Sequence, residues 1–250
     1  MPVLGVIPAR LGSTRLPRKP LLPLGGEPLI LFVTRRIADL QICDRLVVAT
    51  DAREIAQVVE NGGYEAVMTS PDHASGTERV AEVIGKSSFS SFNFILNVQG
   101  DEPFVAAAAV KGALACLERG DPLGTAAGSL DPQLVADPSR VKVVIDKQGR
   151  AVYFSRAPIP FDRDGTGDVV YHQHVGVYAY TRDALQRWVR LPPVPEERWE
   201  RLEQLRPLLH GIPMGVTLFD GPPPAPGIDT PADLKWAEAE ITRHLKEVTP

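Results

Sequence analysis

Four cations, Arg10, Arg15, Arg18 and Lys19, stand within ten positions in the stretch IPARLGSTRLPRKPL (7–21). Guanidinium and ammonium groups at that density suit a polyphosphate, whose several charges need several donors, and whose leaving group needs them more as its charge develops. Gly12, Ser13 and Thr14 lie between them and permit close backbone approach to phosphate oxygens. The spacing is neither the G-x-x-x-x-G-K-[ST] of a P-loop nor the G-x-G-x-x-G of a dinucleotide turn. The competing reading is a solvated charged loop. Placement favours the ligand, because the loop leaves directly from Val3-Leu4-Gly5-Val6-Ile7, an apolar run that reads as a buried strand.

Carboxylates follow in two further motifs. In NVQGDEP (97–103), Asp101 comes just past an apolar run and a glycine, which suits Mg²⁺, a cation that takes one or two carboxylates plus phosphate oxygens and water. Asp101 as a helix N-cap is the alternative, and Glu102 before Pro103 reads as an outward helix-starting acid. In GIDTPADL (227–234), Asp229 or Thr230 can cap a helix with Pro231 at its first position. Asp229 has a metal role only if it converges with Asp101. His172 and His174 share one face of a strand pattern with no nearby third ligand, so they read as hydrogen-bonding groups facing a polyol or carboxylate. Glu203 and Gln204 lie in RLEQLRPLLHG (201–211), where Leu202, Leu205 and Leu209 form the apolar side, and are either rim residues of a site or solvated. No G-x-S-x-G, H-E-x-x-H or placed Cys/His pair is present, so covalent catalysis has no candidate nucleophile.

Something must position these motifs, and the chain of 250 residues is long enough to bury a core without disulfides or a structural metal. Apolar runs at 3–7, 45–49, 65–68, 93–98 and 124–129 alternate with helix patterns at 28–41, 52–61, 77–86 and 106–118. Continuous apolar strands between helices predict a mostly parallel sheet covered on both faces. In such sheets ligands bind at the carboxyl ends of the strands, where the basic loop, ATD (49–51) and VQGDEP (98–103) all fall. From about residue 137 the pattern turns β-rich: RVKVVIDKQGRAVYFSR reads as a hairpin around Asp146–Gly149, and VVYHQHVGVYAY as a long strand. This 137–180 stretch is expected to be an insertion of antiparallel strands. Helices at 183–190 and 197–210, a strand near 214–218, a rigid extended PPPAP (222–226) and a helix from 231 complete the expectation of a single domain over 1–250.

Composition narrows the partners. A net charge of −4 argues against nucleic acid, so the ligand of the basic loop should be local and small. No apolar run approaches the ~18 residues of a membrane span. The chain opens straight into a strand pattern, and Cys43 and Cys116, each in helix-like or helix-edge sequence, form no CxxC pair. A cytoplasmic protein with free thiols is expected.

Taken together, IPARLGSTRLPRKPL, VATD, HASGTERV, NVQGDEP, VKVVID, YFSRAPIPFDRD, HVGVYAY, LEQLR and GIDTPADL resemble, in the same order, the 3-deoxy-manno-octulosonate (KDO) cytidylyltransferase family, from about residue 3 to about residue 235. The first motif is shared with many sugar nucleotidyltransferases, whereas YFSRAPIPFDRD and LEQLR are far more specific. The resemblance implies a Rossmann-like α/β nucleotidyltransferase fold and a Mg²⁺-dependent reaction of CTP with KDO to give CMP-KDO and pyrophosphate. The sugar 2-hydroxyl would attack the α-phosphorus in line, with no covalent enzyme intermediate, in bacterial lipopolysaccharide synthesis.

It also implies roles. Arg10, Arg15 and Lys19 would hold the triphosphate, and Asp101 and Asp229 would hold the metal; with two ions, one would bridge phosphates while the other lowers the pKa of the sugar hydroxyl. Pro8, Ala9, Ser75, Gly76 and Thr77 would enclose the cytosine. Gln99, Arg156, His174, Tyr178, Glu203 and Gln204 would surround the sugar acid, Arg156 meeting its carboxylate bidentately. The 137–180 stretch would make a homodimer interface. The chain departs from the family in Pro17-Arg18-Lys19, where glycine usually stands at position 18 and permits a positive φ. PEERWERLEQLR also departs on its approach to the last five residues. A related acid sugar as substrate, or a non-catalytic nucleotide-binding protein, are the rival readings.

Overall fold

The apolar run that opens the chain becomes a strand buried along its whole length, Val3–Ala9. A computed structural model describes residues 1–12, 15–221 and 227–248, except for the side chains of 244–248. Ser13, Thr14 and the PPPAP stretch therefore lie outside the described residues. The chain divides into two units. The first takes Pro2–Ser91, Asn97–Phe104 and Gly227–Pro250; the second takes Phe92–Leu96 and Val105–Pro226, with Met1.

In chain order, the first stretch carries β1 (Val3–Ala9), β2 (Pro23–Leu24), β3 (Glu27–Pro28), α1 (Leu29–Asp39), β4 (Arg45–Thr50), α2 (Arg53–Asn61), β5 (Glu65–Met68) and α3 (Gly76–Gly85). Strand β6 (Phe94–Val98) gives Phe94–Leu96 to the second unit and Asn97 and Val98 to the first. Then come α4 (Ala107–Glu118), β7 (Leu123–Leu130), β8 (Lys142–Ile145), β9 (Ala151–Ser155), β10 (Tyr171–Thr181), α5 (Arg182–Trp188), α6 (Pro195–Glu200), α7 (Leu205–Leu209) and β11 (Met214–Phe219). Helix α8 (Pro231–Val248) returns to the first unit.

In the first unit β1, β4 and β5 are parallel neighbours, with Ile7 beside Val48 and Ala49 beside Val67. Parallel strands need crossover helices, and α1 and α2 supply them with amphipathic sequences. Leu29, Ile30, Phe32, Val33 and Ile37 form the buried side of α1, and Ile55, Ala56 and Val59 that of α2. Helix α3 starts cleanly because Ser75 caps it, its hydroxyl accepting from the Glu78 N–H at 3.2 Å. The glutamate reaches back to the Ala74 N–H at 2.9 Å, a near relative of the capping box.

The second unit is mixed. β11 runs parallel to β7, whereas β10 is antiparallel to it from Tyr171–Leu130 to Tyr180–Leu123, with a bulge between Val175 and Tyr178. β8 and β9 form the expected hairpin around Asp146–Gly149, and Lys142 of β8 pairs with Gln173 of β10. The Ala-rich α4 buries Ala109, Val110, Ala113, Leu114 and Leu117. Tyr180 and Trp188 are fully enclosed and meet edge to face at 5.6 Å.

Two local expectations need correction. The helix expected at 197–210 is two helices, α6 and α7, because Arg201 takes a left-handed φ of 53° and ends the first. The Arg206–Glu197 pair, 2.6 Å, spans the break, and the chain turns so that Leu202, Gln204 and Leu205 are buried. Cys43 lies between α1 and β4, outside any helix, while Cys116 is inside α4; both thiols are free. Burial pushes the Cys43 pKa up to about 12, which keeps it an inert thiol.

Candidate active site

The chemistry-bearing loops of the first unit leave the carboxyl ends of its strands. Arg10 is exposed immediately after β1. A 3₁₀ turn, Lys19–Leu21, follows Arg18, which has φ 58°. The position where the resembled family usually has glycine thus adopts the left-handed conformation with arginine in it. Arg18 turns to Glu54 in the first turn of α2 rather than to the carboxylates. Its neighbour Lys19 points the other way, and its side chain is only 13% exposed.

Lys19 Nζ donates to Asp101 Oδ2 at 2.5 Å and to Asp229 Oδ1 at 3.0 Å, while Arg15 pairs with Asp229 Oδ2 at 2.8 Å. Residues 210 positions apart in sequence are brought together by two backbone devices. Gly100 lets the chain turn under β1, where a Cβ would come within 2.9 Å of the Pro8 carbonyl oxygen, and the turn closes with Glu102 N–H donating to Gln99 O. The Ile228 N–H then donates to Asp101 O at 2.9 Å and delivers the next residue, Asp229.

Both capping alternatives are resolved by the same geometry. Helix α4 begins at Ala107 with Ala106 before it, so Asp101 caps nothing. At α8, Thr230 Oγ1 accepts from the Asp233 N–H at 3.2 Å, and Asp233 Oδ2 accepts from the N–H groups of Asp229 and Thr230. The side chain of Asp229 is thereby released for Lys19 and Arg15.

The sequence reading missed Glu102, expected to point outward. It is half-buried beside the cluster. Desolvation first, then the neighbouring Asp101 and Asp229 charges, push its pKa up to about 8, against the opposing pull of Lys19. The available signal was the acidic doublet before a proline whose ring is buried. Burial opposes the Lys19 charge too, but its contacts with Asp101 and Asp229 prevail and its pKa is raised.

The donor set is oxygen only, which suits a hard divalent cation and not a soft one. Among the described residues no group of three or more His, Cys, Asp or Glu is arranged around one metal position. Asp101 and Asp229 would thus supply two ligands, with phosphate oxygens and water completing the shell.

Pro8 and Ala9 close β1, and the Ser75–Thr77 segment opens α3. They meet through Gly76, where a Cβ would lie 3.2 Å from Pro8 Cγ and 3.4 Å from Gln99 Oε1, so only a glycine allows that approach without displacement. Gln99 itself donates to Asn97 Oδ1 at 3.3 Å.

In the second unit, His174, Tyr178 and Gln204 come from β10 and the turn before α7. His174 is buried between Phe154 (ring centroids 5.0 Å) and Tyr178 (5.4 Å). Burial lowers its pKa to about 3, so the ring is neutral. Thr125 fixes the tautomer: its single hydroxyl proton goes to the Val177 carbonyl at 2.7 Å, so His174 Nε2 at 3.0 Å must be the donor. Nδ1 is then an acceptor, able to read a hydroxyl. Gln204 is buried and its Nε2 has no hydrogen-bond partner. Glu203 immediately precedes it.

Arg156 differs from expectation in how it is occupied. Its Nε donates to Glu200 O (2.7 Å), Nη1 to Pro138 O (2.7 Å) and Nη2 to Arg201 O (3.5 Å). The guanidinium satisfies the carbonyls that α6 leaves unpaired at its end. Fully buried Lys142 holds the Arg156 carbonyl in turn, at 2.5 Å, together with Asp137 O at 3.2 Å.

Residues 4–214 match the model of the cytidylyltransferase family, which is the class that this fold and these loops define. A 3-deoxy-manno-octulosonate cytidylyltransferase of Gemmatimonas aurantiaca is 53% identical over 239 residues, covering 94% of this chain and 92% of its own. One of Methylococcus capsulatus is 45% identical over 256 residues, covering 98% and 97%. A solved structure of CMP:2-keto-3-deoxy-manno-octonic acid synthetase complexed with CTP matches with a TM-score of 0.90 at 38% identity, covering 98% of this chain and all of that one. A 4-diphosphocytidyl-2C-methyl-D-erythritol synthase of Anaerococcus prevotii, at 14% identity and TM-score 0.61, shares the fold alone; the match covers 97% of this chain and 99% of that one. The chain belongs to the 3-deoxy-manno-octulosonate cytidylyltransferase family.

Proposed function

We propose that this chain transfers the cytidylyl group of CTP to KDO with Mg²⁺, releasing pyrophosphate. The observation that carries the reading is the Lys19 ammonium held between Asp101 and Asp229, with Arg15 on the same aspartate, in a chain of this family. Cations and paired carboxylates at one strand end meet the two needs of the reaction, a charged leaving group and a metal-bound triphosphate. The sugar 2-hydroxyl oxygen bonds to the α-phosphorus as the bond to pyrophosphate breaks. Arg10, Arg15 and Lys19 stabilise the charge that gathers on the leaving oxygens. Asp101 and Asp229 hold Mg²⁺, which when bound neutralises phosphate charge and lowers the pKa of the attacking hydroxyl.

Pro8, Ala9 and the Ser75–Thr77 segment enclose the cytosine. Gln99, Tyr178, Glu203, Gln204 and the Nδ1 acceptor of His174 read the sugar hydroxyls. Arg156 takes the sugar carboxylate, exchanging carbonyl partners for a charged one. The chain works as one catalytic domain, as a homodimer joined through 137–180, in the cytoplasm and in support of lipopolysaccharide synthesis. The exposed Phe161 and Val170 in that stretch support the interface, and among the described residues no helix is long and apolar enough to cross a membrane.

Pyrophosphate release from CTP, KDO and Mg²⁺, set beside ATP, GTP, UTP and a sialic acid, tests the reading. Release with CTP and KDO alone is expected. Release only with another acid sugar would move the error to the sugar contacts, and silence with every pair would sink the reading.

A further inference from the structure

Behind the residues that would touch substrate, α3 carries a set of charged side chains directed at a single loop. Arg79 is 2% exposed; its Nη1 donates to Thr69 Oγ1 at 2.5 Å and Ser70 O at 3.3 Å, and its Nη2 to Asp51 Oδ2 at 2.9 Å. One guanidinium therefore joins the residue after β4, the residues after β5, and α3. Glu82 Oε2 accepts from the Ser70 N–H at 2.8 Å and lies 2.6 Å from His73 Nε2. The Glu78 N–H donates to Ser75 Oγ, and Glu78 Oε2 accepts from the Ala74 N–H, as described above. From Thr69 to Ser75 the loop is held by α3 side chains, and the residue that follows is Gly76, in close approach to Pro8 and Gln99.

We propose that Arg79 is a specificity-determining positioning residue. Without touching the nucleotide, it sets how closely Ser75–Thr77 stand against Pro8, and so governs the preference for cytosine over uracil. The proposal rests on the reading of this site as the CTP site.

The physical argument has two parts. Cytosine and uracil differ at one ring edge, where a donor and an acceptor exchange places, so discrimination needs protein groups fixed in position: the wrong base leaves a buried polar group unpaired. A displacement of about 1 Å is enough to lose much of that. A buried ion pair, for its part, is a poor source of stability, since apolar replacements are often neutral or better. Burying a guanidinium with three directed hydrogen bonds fixes the loop's geometry beyond what stability alone requires.

The test measures pyrophosphate release with CTP and with UTP at saturating KDO, together with Tm, for the wild-type chain, Arg79→Met, Arg79→Lys and Thr69→Val. Arg79→Met should raise the KM for CTP about tenfold and reduce the CTP-over-UTP ratio of kcat/KM about tenfold, leaving kcat with CTP within a few-fold. Arg79→Lys should recover part of the ratio, and Thr69→Val should lose a smaller part, leaving no charge unpaired. A lower Tm and smaller active fraction with an unchanged ratio would be a structural effect only and would overturn the proposal. Should Arg79→Met not fold, an unchanged ratio in both gentler variants overturns it equally. A wild-type chain silent with CTP and KDO overturns the site reading and this proposal together, before any variant is compared.

Discussion

Two charged clusters, one in each unit, are arranged in opposite ways. In the first, Lys19, Arg15, Asp101 and Asp229 pair with one another, and the aspartates remain 30% and 42% exposed. Burial first, and then the Asp101 and Asp229 charges, raise the Glu102 pKa there to about 8. In the second, Arg156 and Lys142 are committed to backbone carbonyls, and His174 is a neutral ring locked by Thr125. On the proposed reading, the first arrangement would gain as a polyanion and a cation arrived and separated its like charges. The second is more rigidly bonded at these residues, yet its unit holds the three buried side-chain nitrogens that lack a hydrogen-bond partner among the described residues, Arg140 Nε, His172 Nδ1 and Gln204 Nε2. On the proposed reading, the crowded charges lie where charge would be handled, and the side chains fixed by backbone carbonyls lie where shape would be read.

The contrast can be broken most sharply at Asp101. Asp101→Asn should lower turnover by about 10²-fold or more while the fold is retained, as loss of preorganised charge does. Near-normal pyrophosphate release would remove Asp101 from the metal site. Arg156→Ala comes next, and here the units differ in kind: the variant should raise the KM for KDO and also lower stability by about 2 kcal/mol, because charged hydrogen bonds to the α6 carbonyls are lost. An effect confined to CTP affinity would contradict the sugar assignment, and an unchanged denaturation midpoint would contradict the clasp.

His174 gives a pH signature. Its folded pKa, lowered to about 3 by burial, lies below the ordinary value of 6.5. Between those values the unfolded chain takes up a proton that the folded chain refuses. Stability therefore falls as pH falls, at up to ~1.4 kcal/mol per pH unit from this residue. His174→Gln should flatten the difference in denaturant midpoint between pH 6 and pH 4; an unchanged slope would mean the ring is not buried as described.

The smallest effect is expected at Arg18. Arg18→Gly removes the strain of a left-handed arginine but adds backbone entropy and loses an exposed ion pair, for a net gain of ~0.5 kcal/mol, with turnover unchanged. A clear loss of turnover would give Arg18 a phosphate contact after all.

Much of the architecture was legible because parallel strands and their crossover helices write themselves as local patterns. Val3–Ala9, Arg45–Thr50 and Glu65–Met68 are apolar runs, and α1 and α2 repeat at helical spacing. A positive φ at position 18 was suggested only by the resemblance, whose members usually carry glycine there; arginine itself argues against it, yet the chain adopts it. The single helix expected at 197–210 failed for a non-local reason: what stabilises its break is Arg156 on the carbonyls of Glu200 and Arg201, from the residue just past β9, more than forty positions earlier.

The sequence by itself determined the strand and helix periods, the cations beside the first strand and the presence of two candidate carboxylates, because each depends on residues near one another in the chain. Tertiary structure alone decided which acid caps a helix and which faces Lys19. That choice depends on Asp233 capturing the Thr230 turn and on Ile228 bonding to Asp101 across more than a hundred residues. It also decided the inward turn of Glu102 and its raised pKa, and the burial of Arg79 against Asp51, since burial and the distance between charges exist only once the chain has folded.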